Sequence, residues 1–296
     1  MGAGTALTHV TPPVTTPFGS ARVVEGARVG AIDVGGPEQP PEGVSFLDGI
    51  QRYAVEGRFG LVPVVRGYAA AAALRREGAS LKVAEERSEE FVVVARERLS
   101  GAELEAVEAA GLPVVDCEAP ERSHPIVDVQ LAAREVERRR EALEAEVAAA
   151  CLAARPQGWL VLDGGLGGPA PEGAPPVLGL VKSHETQYLE GGELEAALTL
   201  PEGHRTSVFQ PSTGARPAVF SWYLRLWPWD QHDLLHGLVR VERPPNESCI
   251  ADATAVSRWL LAERAPLSAP DGRWDRLIYP IQQVETYLRA QAGGWQ

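Results

Sequence analysis

The chain has 296 residues, enough for one large domain or two of ordinary size, and 45% of them are hydrophobic against 23% charged, the balance of an ordinary globular protein. A formal net charge of -12 excludes wrapping of nucleic acid over the whole surface but leaves room for a local channel. No run approaches the roughly 18 consecutive apolar residues of a membrane span. The opening Met1-Gly2-Ala3-Gly4-Thr5-Ala6 has neither a basic start nor an apolar core, so no secretory signal and no membrane are expected, and the cytoplasm is the expected location. Cys117, Cys151 and Cys249 are isolated and odd in number, which argues against a disulfide framework and against a zinc site. The basic residues are 26 Arg and only two Lys, Lys82 and Lys182, so a Lys in a suggestive place is informative.

Residues 1–43 are rich in Pro, Gly and Thr and are expected as an N-terminal extension, with residues 44–296 as one α/β domain carrying insertions. Within the extension, Ala31-Ile32-Asp33-Val34-Gly35-Gly36 resembles the first phosphate loop of actin-like kinases; a plain strand and turn is the competing reading. Phe46–Asp48, Gly60–Val65 and Phe91–Ala95 have the composition of three β runs, with the Ala-rich Tyr68–Arg76 between the second and third. Ser100-Gly101-Ala102-Glu103 carries a capping box and Gly111 a helix stop. A long helix is predicted from Ile126 to about Ala154, with Ala132, Val136, Leu143 and Val147 as its apolar stripe. Glu137 and Glu144 border that stripe, and Arg140 falls on it, where an unpaired charge is costly.

Two apolar strands then share one design. Val44-Ser45-Phe46-Leu47-Asp48-Gly49 and Trp159-Leu160-Val161-Leu162-Asp163-Gly164 each end on a carboxylate followed by glycine. A single Asp-Gly step is a common turn; two of them suggest that neighbouring strand ends converge on a site. After the Gly/Pro loop Gly164–Pro176, a strand Pro176–Val181 leads to Lys182. Further strands are read at Val208-Phe209, Ala218–Leu226 and Gly237–Val241. Helices are read at Ala251–Glu263, capped by Asp, and from Ile281 to about Ala292.

Asp48, Asp163 and a helix Glu make a hard, oxygen-only set of the kind that takes Mg²⁺ or Mn²⁺ and not zinc. Lys182 and Arg225 are candidates to neutralise phosphate charge. The sequence has no nucleophile elbow, Walker A loop, Rossmann fingerprint or His-Glu-x-x-His motif, and among its six His only His232 and His236 are spaced as a pair.

The order of these motifs resembles the NurA nuclease family over about residues 44 to 290. Phe46-Leu47-Asp48-Gly49, the long Arg/Glu helix, Val161-Leu162-Asp163-Gly164-Gly165-Leu166 and Leu178-Gly179-Leu180-Val181-Lys182 come first. Trp222-Tyr223-Leu224-Arg225-Leu226, Val239-Arg240-Val241-Glu242 and Ile278-Tyr279-Pro280 follow. The resemblance implies an RNase H-like mixed sheet flanked by helices, a homodimer, and DNA cleavage with Mn²⁺ or Mg²⁺ beside a HerA-like hexameric ATPase in end processing or phage defence. It implies Asp48 and Asp163 as metal ligands and Glu144, 19 residues before Asp163, as the helix ligand, with Glu137 the alternative. DNA contacts are then expected from Lys182, Arg225, Arg240 and Tyr279. Eight residues after Tyr279 the family places a metal-binding His where this chain has Tyr287, so Glu285 is the candidate last ligand. Two other functions stand beside this one: a NurA-like docking subunit without catalysis, and an actin-like phosphotransferase built on Asp33.

Overall fold

The structure, a computed structural model, describes residues 18–154, 158–166, 176–212, 217–265, 274–293 and 295. The start of the chain, with His9, and most of the Gly164–Pro176 loop lie outside the described residues.

Three long strands form the centre: β3 (Ser45–Phe59), β4 (Val62–Glu77) and β5 (Ser80–Val94), after the short β1 (Ala21–Val23) and β2 (Ala31–Asp33). They run as an antiparallel meander. Helix α1 (Gly101–Glu108) and strand β6 (Val114–Asp116) follow, and then the 30-residue α2 (Pro125–Ala154) crosses back over the sheet. Strand β7 (Leu160–Asp163) lies parallel to β3, and β8 (Val177–Val181) parallel to β7. After α3 (Gly191–Leu198) come β9 (His204–Thr206), β10 (Phe209–Pro211), β11 (Phe220–Arg225) and β12 (Leu238–Arg243). Among the described residues the sheet has 12 strands, in the order β1-β10-β11-β12-β8-β7-β3-β4-β5-β6, with β2 joined to β11 through β9. Helices α4 (Glu247–Ala262) and α5 (Tyr279–Gln291) complete the chain. A three-strand meander, a crossing helix and two strands parallel to the first make the RNase H-like mixed sheet expected of the sequence, extended by the β9–β12 insertion. Residues 18–43 do not stand apart from it: β1 pairs with β10 and β2 with β9.

Both faces of the meander are covered, and this explains the alanine run. Ala69, Ala71 and Ala73 pack with Ala132, Val136, Leu143 and Val147 of α2. Ala70 and Ala72 face the other way, in the core with Val256, Trp259 and Leu260 of α4 and Ile281, Val284 and Leu288 of α5. Alanine has little strand preference of its own, but a strand sandwiched between helices at close quarters has no room for larger side chains. The Ala-rich segment is therefore part of β4 and not a link between strands. The apolar runs read from sequence are also only parts of longer strands. Phe46–Asp48 is the buried beginning of β3, whose residues 52–58 are exposed. The polar first half of β5 was invisible to an apolar pattern.

The helix ends follow local chemistry. Ser100 caps α1, accepting from the Glu103 amide at 3.4 Å while Glu103 accepts from the Ser100 amide at 2.8 Å. Helix α4 begins earlier than its apolar pattern, capped by Asn246, which accepts from the Cys249 amide at 2.8 Å; no Asp is the cap.

Gly67 shows how closely α2 approaches. A Cβ there would lie 2.7 Å from Phe91 Cε2 and 2.9 Å from Val136 Cγ2. Gly67→Ala should cost about 1–3 kcal/mol of stability by overpacking, read by urea unfolding. An unchanged midpoint would refute this account of the α2 seat.

Candidate active site

Strands β3 and β7 are parallel with Leu47 beside Leu162, so one step further Asp48 and Asp163 come level on adjacent strands. At the usual strand spacing of about 4.8 Å, and with alternation turning both to the face of Phe46 and Val161, their carboxyl groups share one space. Strand β7 ends at Asp163, and Gly164 turns away at φ +112, a value that favours glycine. Strand β8 brings Lys182 to the same end of the sheet. Its Nζ lies 2.6 Å from Asp163 Oδ1 and 2.8 Å from Oδ2, and only the Oδ2 contact has hydrogen-bond geometry. Oδ1 is buried without a directed hydrogen bond.

Asp48 accepts from the Gly49 amide at 2.8 Å. Burial first, and then the neighbouring charge of Asp163, push its carboxyl up to about 8; Lys182 and the Gly49 amide pull the other way, and Glu285 adds to the rise. Glu285 reaches this field from α5 and accepts from Arg289 Nη2, one turn on, at 2.5 Å. Tyr287 is turned elsewhere: its hydroxyl donates to Glu86 Oε2 at 2.5 Å.

Asp48 is not at a strand end, contrary to its Asp-Gly appearance, for β3 continues through Gly49 to Phe59. Gly49 has another role. It faces α2, and a Cβ there would lie 2.2 Å from Glu144 Oε1 and 3.0 Å from Glu144 Cδ. The missing side chain lets Glu144 lie against the β3 backbone beside Asp48. Burial raises the Glu144 carboxyl, the charge and hydrogen bond of Arg140 lower it, and Asp163 raises it further. Glu137, the alternative on the same helix, is exposed.

Asp48, Asp163, Glu144, Glu285 and Lys182 are thus neighbours in one electrostatic field. Among the described residues, no three His, Cys, Asp or Glu side chains close on a common point as the ligands of one ion would. Asp163, Glu144 and Glu285 are instead held by Lys182, Arg140 and Arg289. In kind the residues fit a divalent cation: all are hard oxygen donors, and the buried Asp163 Oδ1 lacks a directed hydrogen bond.

Two expected DNA contacts are corrected. Arg225 is fully buried, and its guanidinium donates to the carbonyls of Leu200 at 3.2 Å, Leu234 at 3.0 Å, Leu198 at 2.5 Å and His236. Burial lowers it to about 10. It ties loops together and is closed to a phosphate. Arg240 is also buried, 2.5 Å from Glu242 Oε1, and Glu242 in turn accepts the Leu166 amide at 2.8 Å. This pair braces the backbone leaving Asp163. Tyr279 is 43% exposed at the start of α5 and remains reachable.

The remaining motifs are structural. Asp33 accepts from the Gly35 amide at 2.8 Å, the strand and turn of the competing reading. The rings of His232 and His236 stack at 4.0 Å, and His236 Nδ1 lies 3.5 Å from Asp275 Oδ2. Sequence reading missed Gln51, which meets Arg140 across strand and helix and carries no local signature, and Arg289, whose only signal is its place one turn after Glu285 on α5.

No known protein family matches the sequence, and no curated protein matches it. Among solved structures the chain is similar to the NurA nuclease from Sulfolobus solfataricus, with a TM-score of 0.41 and 12% identity over 91% of this chain and 81% of that one. It is also similar to the catalytic domain of human Endonuclease V, with a TM-score of 0.32 and 15% identity over 85% and 84% of the two chains. Both likenesses are remote.

The raised Asp48 carboxyl makes stability depend on pH. Below the ordinary carboxylate range Asp48 is protonated in both folded and unfolded chains; as pH rises towards 8 the unfolded chain ionises first, and stability is lost. Asp48→Asn, a mimic of the protonated acid, should therefore stabilise the protein more at pH 9 than at pH 5, by urea unfolding in a chelator. An equal effect at both pH values would count against the crowding.

Proposed function

We propose that the chain is a divalent-metal-dependent nuclease of the NurA type, which hydrolyses DNA with Mn²⁺ or Mg²⁺. In this reading it acts as a homodimer beside a HerA-like hexameric ATPase. The observation that carries the reading is the level pairing of Asp48 and Asp163 on parallel strands, with Glu144 and Glu285 brought in from helices on opposite faces. Asp48, Asp163, Glu144 and Glu285 would hold the cation. Such a cation, when bound, supplies an acidified water and positive charge for the phosphate.

The rest of the reading belongs to the chain's own groups. Lys182, a compact charge on a flexible stem, steadies Asp163 and offers positive charge at the rim of the sheet. With Arg225 and Arg240 engaged inside the fold, Lys182 and the exposed Tyr279 are the DNA contacts left from the expected four. A net charge of -12 suits a strand held in a local channel better than one lying on an open surface.

A second reading, a docking subunit that has lost cleavage, is favoured by one observation. Tyr287, standing where the resemblance expects a His ligand, has its hydroxyl engaged with Glu86.

Cleavage of end-labelled single- and double-stranded DNA in Mn²⁺, Mg²⁺ or chelator separates the two. The nuclease reading expects metal-dependent products, lost in Asp163→Asn. A wild-type protein inert with both metals would favour the docking subunit. Asp163→Asn also removes the carboxylate from a Lys182 side chain only 14% exposed, so it should cost roughly 1–3 kcal/mol of stability, in contrast to Asp48→Asn. Light scattering at micromolar concentration should return twice the 31.7 kDa chain mass, and a monomer would remove the dimer from this account.

A further inference from the structure

Arg140 is the one guanidinium on the buried stripe of α2, in line with Val136, Leu143 and Val147. Its side chain is 22% exposed, so its charge needs partners. They are arranged around a single point. Nε donates to Gln51 Oε1 at 2.9 Å, Nη1 donates to Glu144, and Nη2 lies 3.6 Å from the exposed Glu141. Gln51 stands two residues beyond Gly49 on β3 and so shares its face. One guanidinium thus bridges α2 and β3, with the Glu144 carboxylate lying over Gly49 between them.

We infer that Arg140 and Gln51 form a clamp that positions the Glu144 carboxylate for a divalent cation shared with Asp48 and Asp163. The inference rests on the nuclease reading of the site, and it makes Arg140 and Gln51 positioning residues. The residue types suit the task. A planar fork reaches two acceptors in a fixed relation, which the point charge of a lysine does not. Gln51 is a neutral acceptor, so it orients the guanidinium without competing with Glu144 for its charge. Gly49 is the third part, since any side chain there would drive Glu144 off the strand. A simple ion pair one turn apart on a helix would need neither Gln51 nor Gly49.

The test is Mn²⁺ binding to the full chain without DNA, followed by the electron paramagnetic resonance of free Mn²⁺. Arg140→Lys, Gln51→Leu, Glu144→Gln and the double variant Arg140→Lys/Glu144→Gln are compared, with thermal melts as a control for folding. Loss of a group that orients a metal ligand weakens binding about 10-fold or more, and that is expected of Arg140→Lys and of Gln51→Leu. In the Glu144→Gln background, Arg140→Lys should add less than about 2-fold, because the clamp acts only through that carboxylate. Gln51→Leu touches the guanidinium alone and keeps the test open if Arg140→Lys fails to fold. Wild-type affinity in Gln51→Leu, or losses that multiply in the double variant, would overturn the clamp while leaving the nuclease reading in place. A wild-type chain that takes up no Mn²⁺ would overturn both.

Discussion

Like-charge crowding at the junction of β3 and β7 is the constraint around which this molecule is arranged. Two parallel strands set Asp48 and Asp163 level on one face, and helices from either side add Glu144 and Glu285. Carboxylates brought towards one another in a partly desolvated place are stabilised by positive charge nearby. Lys182, Arg140 and Arg289 provide it for three of them. Asp48 has the Gly49 amide, and its proton is correspondingly hard to remove. Asp48, costly to ionise beside Asp163, would gain from a cation placed next to it, and this is the physical link between the fold and the proposed chemistry.

The surrounding architecture keeps these groups close. Alanines on both sides of β4 bring the helices near the sheet, and Gly67 leaves room for Val136 of α2 beside Phe91 of β5. Helix α2 thereby holds Glu144 at the backbone of β3. On the other flank, buried polar groups act as scaffolding. Arg225 gathers four carbonyls from the end of α3 and the two loops beside it, and the Arg240–Glu242 pair holds the Leu166 amide just after Asp163. Each is a charge that burial would penalise alone and that full hydrogen bonding makes tolerable. Arg225 of β11 and Arg240 of β12 therefore belong to the interior and not to a DNA-binding surface.

Reading the amino-acid sequence alone brought out the features whose signal is local. The apolar runs leading to Asp48 and Asp163, the α2 stripe, the Ser100 capping box and the sheet-and-helix class all follow from residues near one another in the chain. It also marked Arg140 as a charge in a place where charge is costly. Local signals misled where tertiary packing overrides propensity: the alanines of β4 are strand, the polar half of β5 pairs along its length, and Gly49 is no turn.

What the sequence by itself determined is therefore the set of acidic groups and the strands that present two of them. Only the tertiary structure shows which of Glu144 and Glu137 lies against β3, because both border the same stripe and only the strand opposite, with its glycine, admits Glu144. It also took Arg225 and Arg240 out of contact with solvent, since alternation along a strand says which side chains share a face but not whether that face is covered. The nearness of Glu144 to Asp163 and of Glu285 to Asp48, and the cost of ionising Asp48, arise from groups far apart in the chain. Such energies depend on distance and burial, and neither is written in the order of the residues.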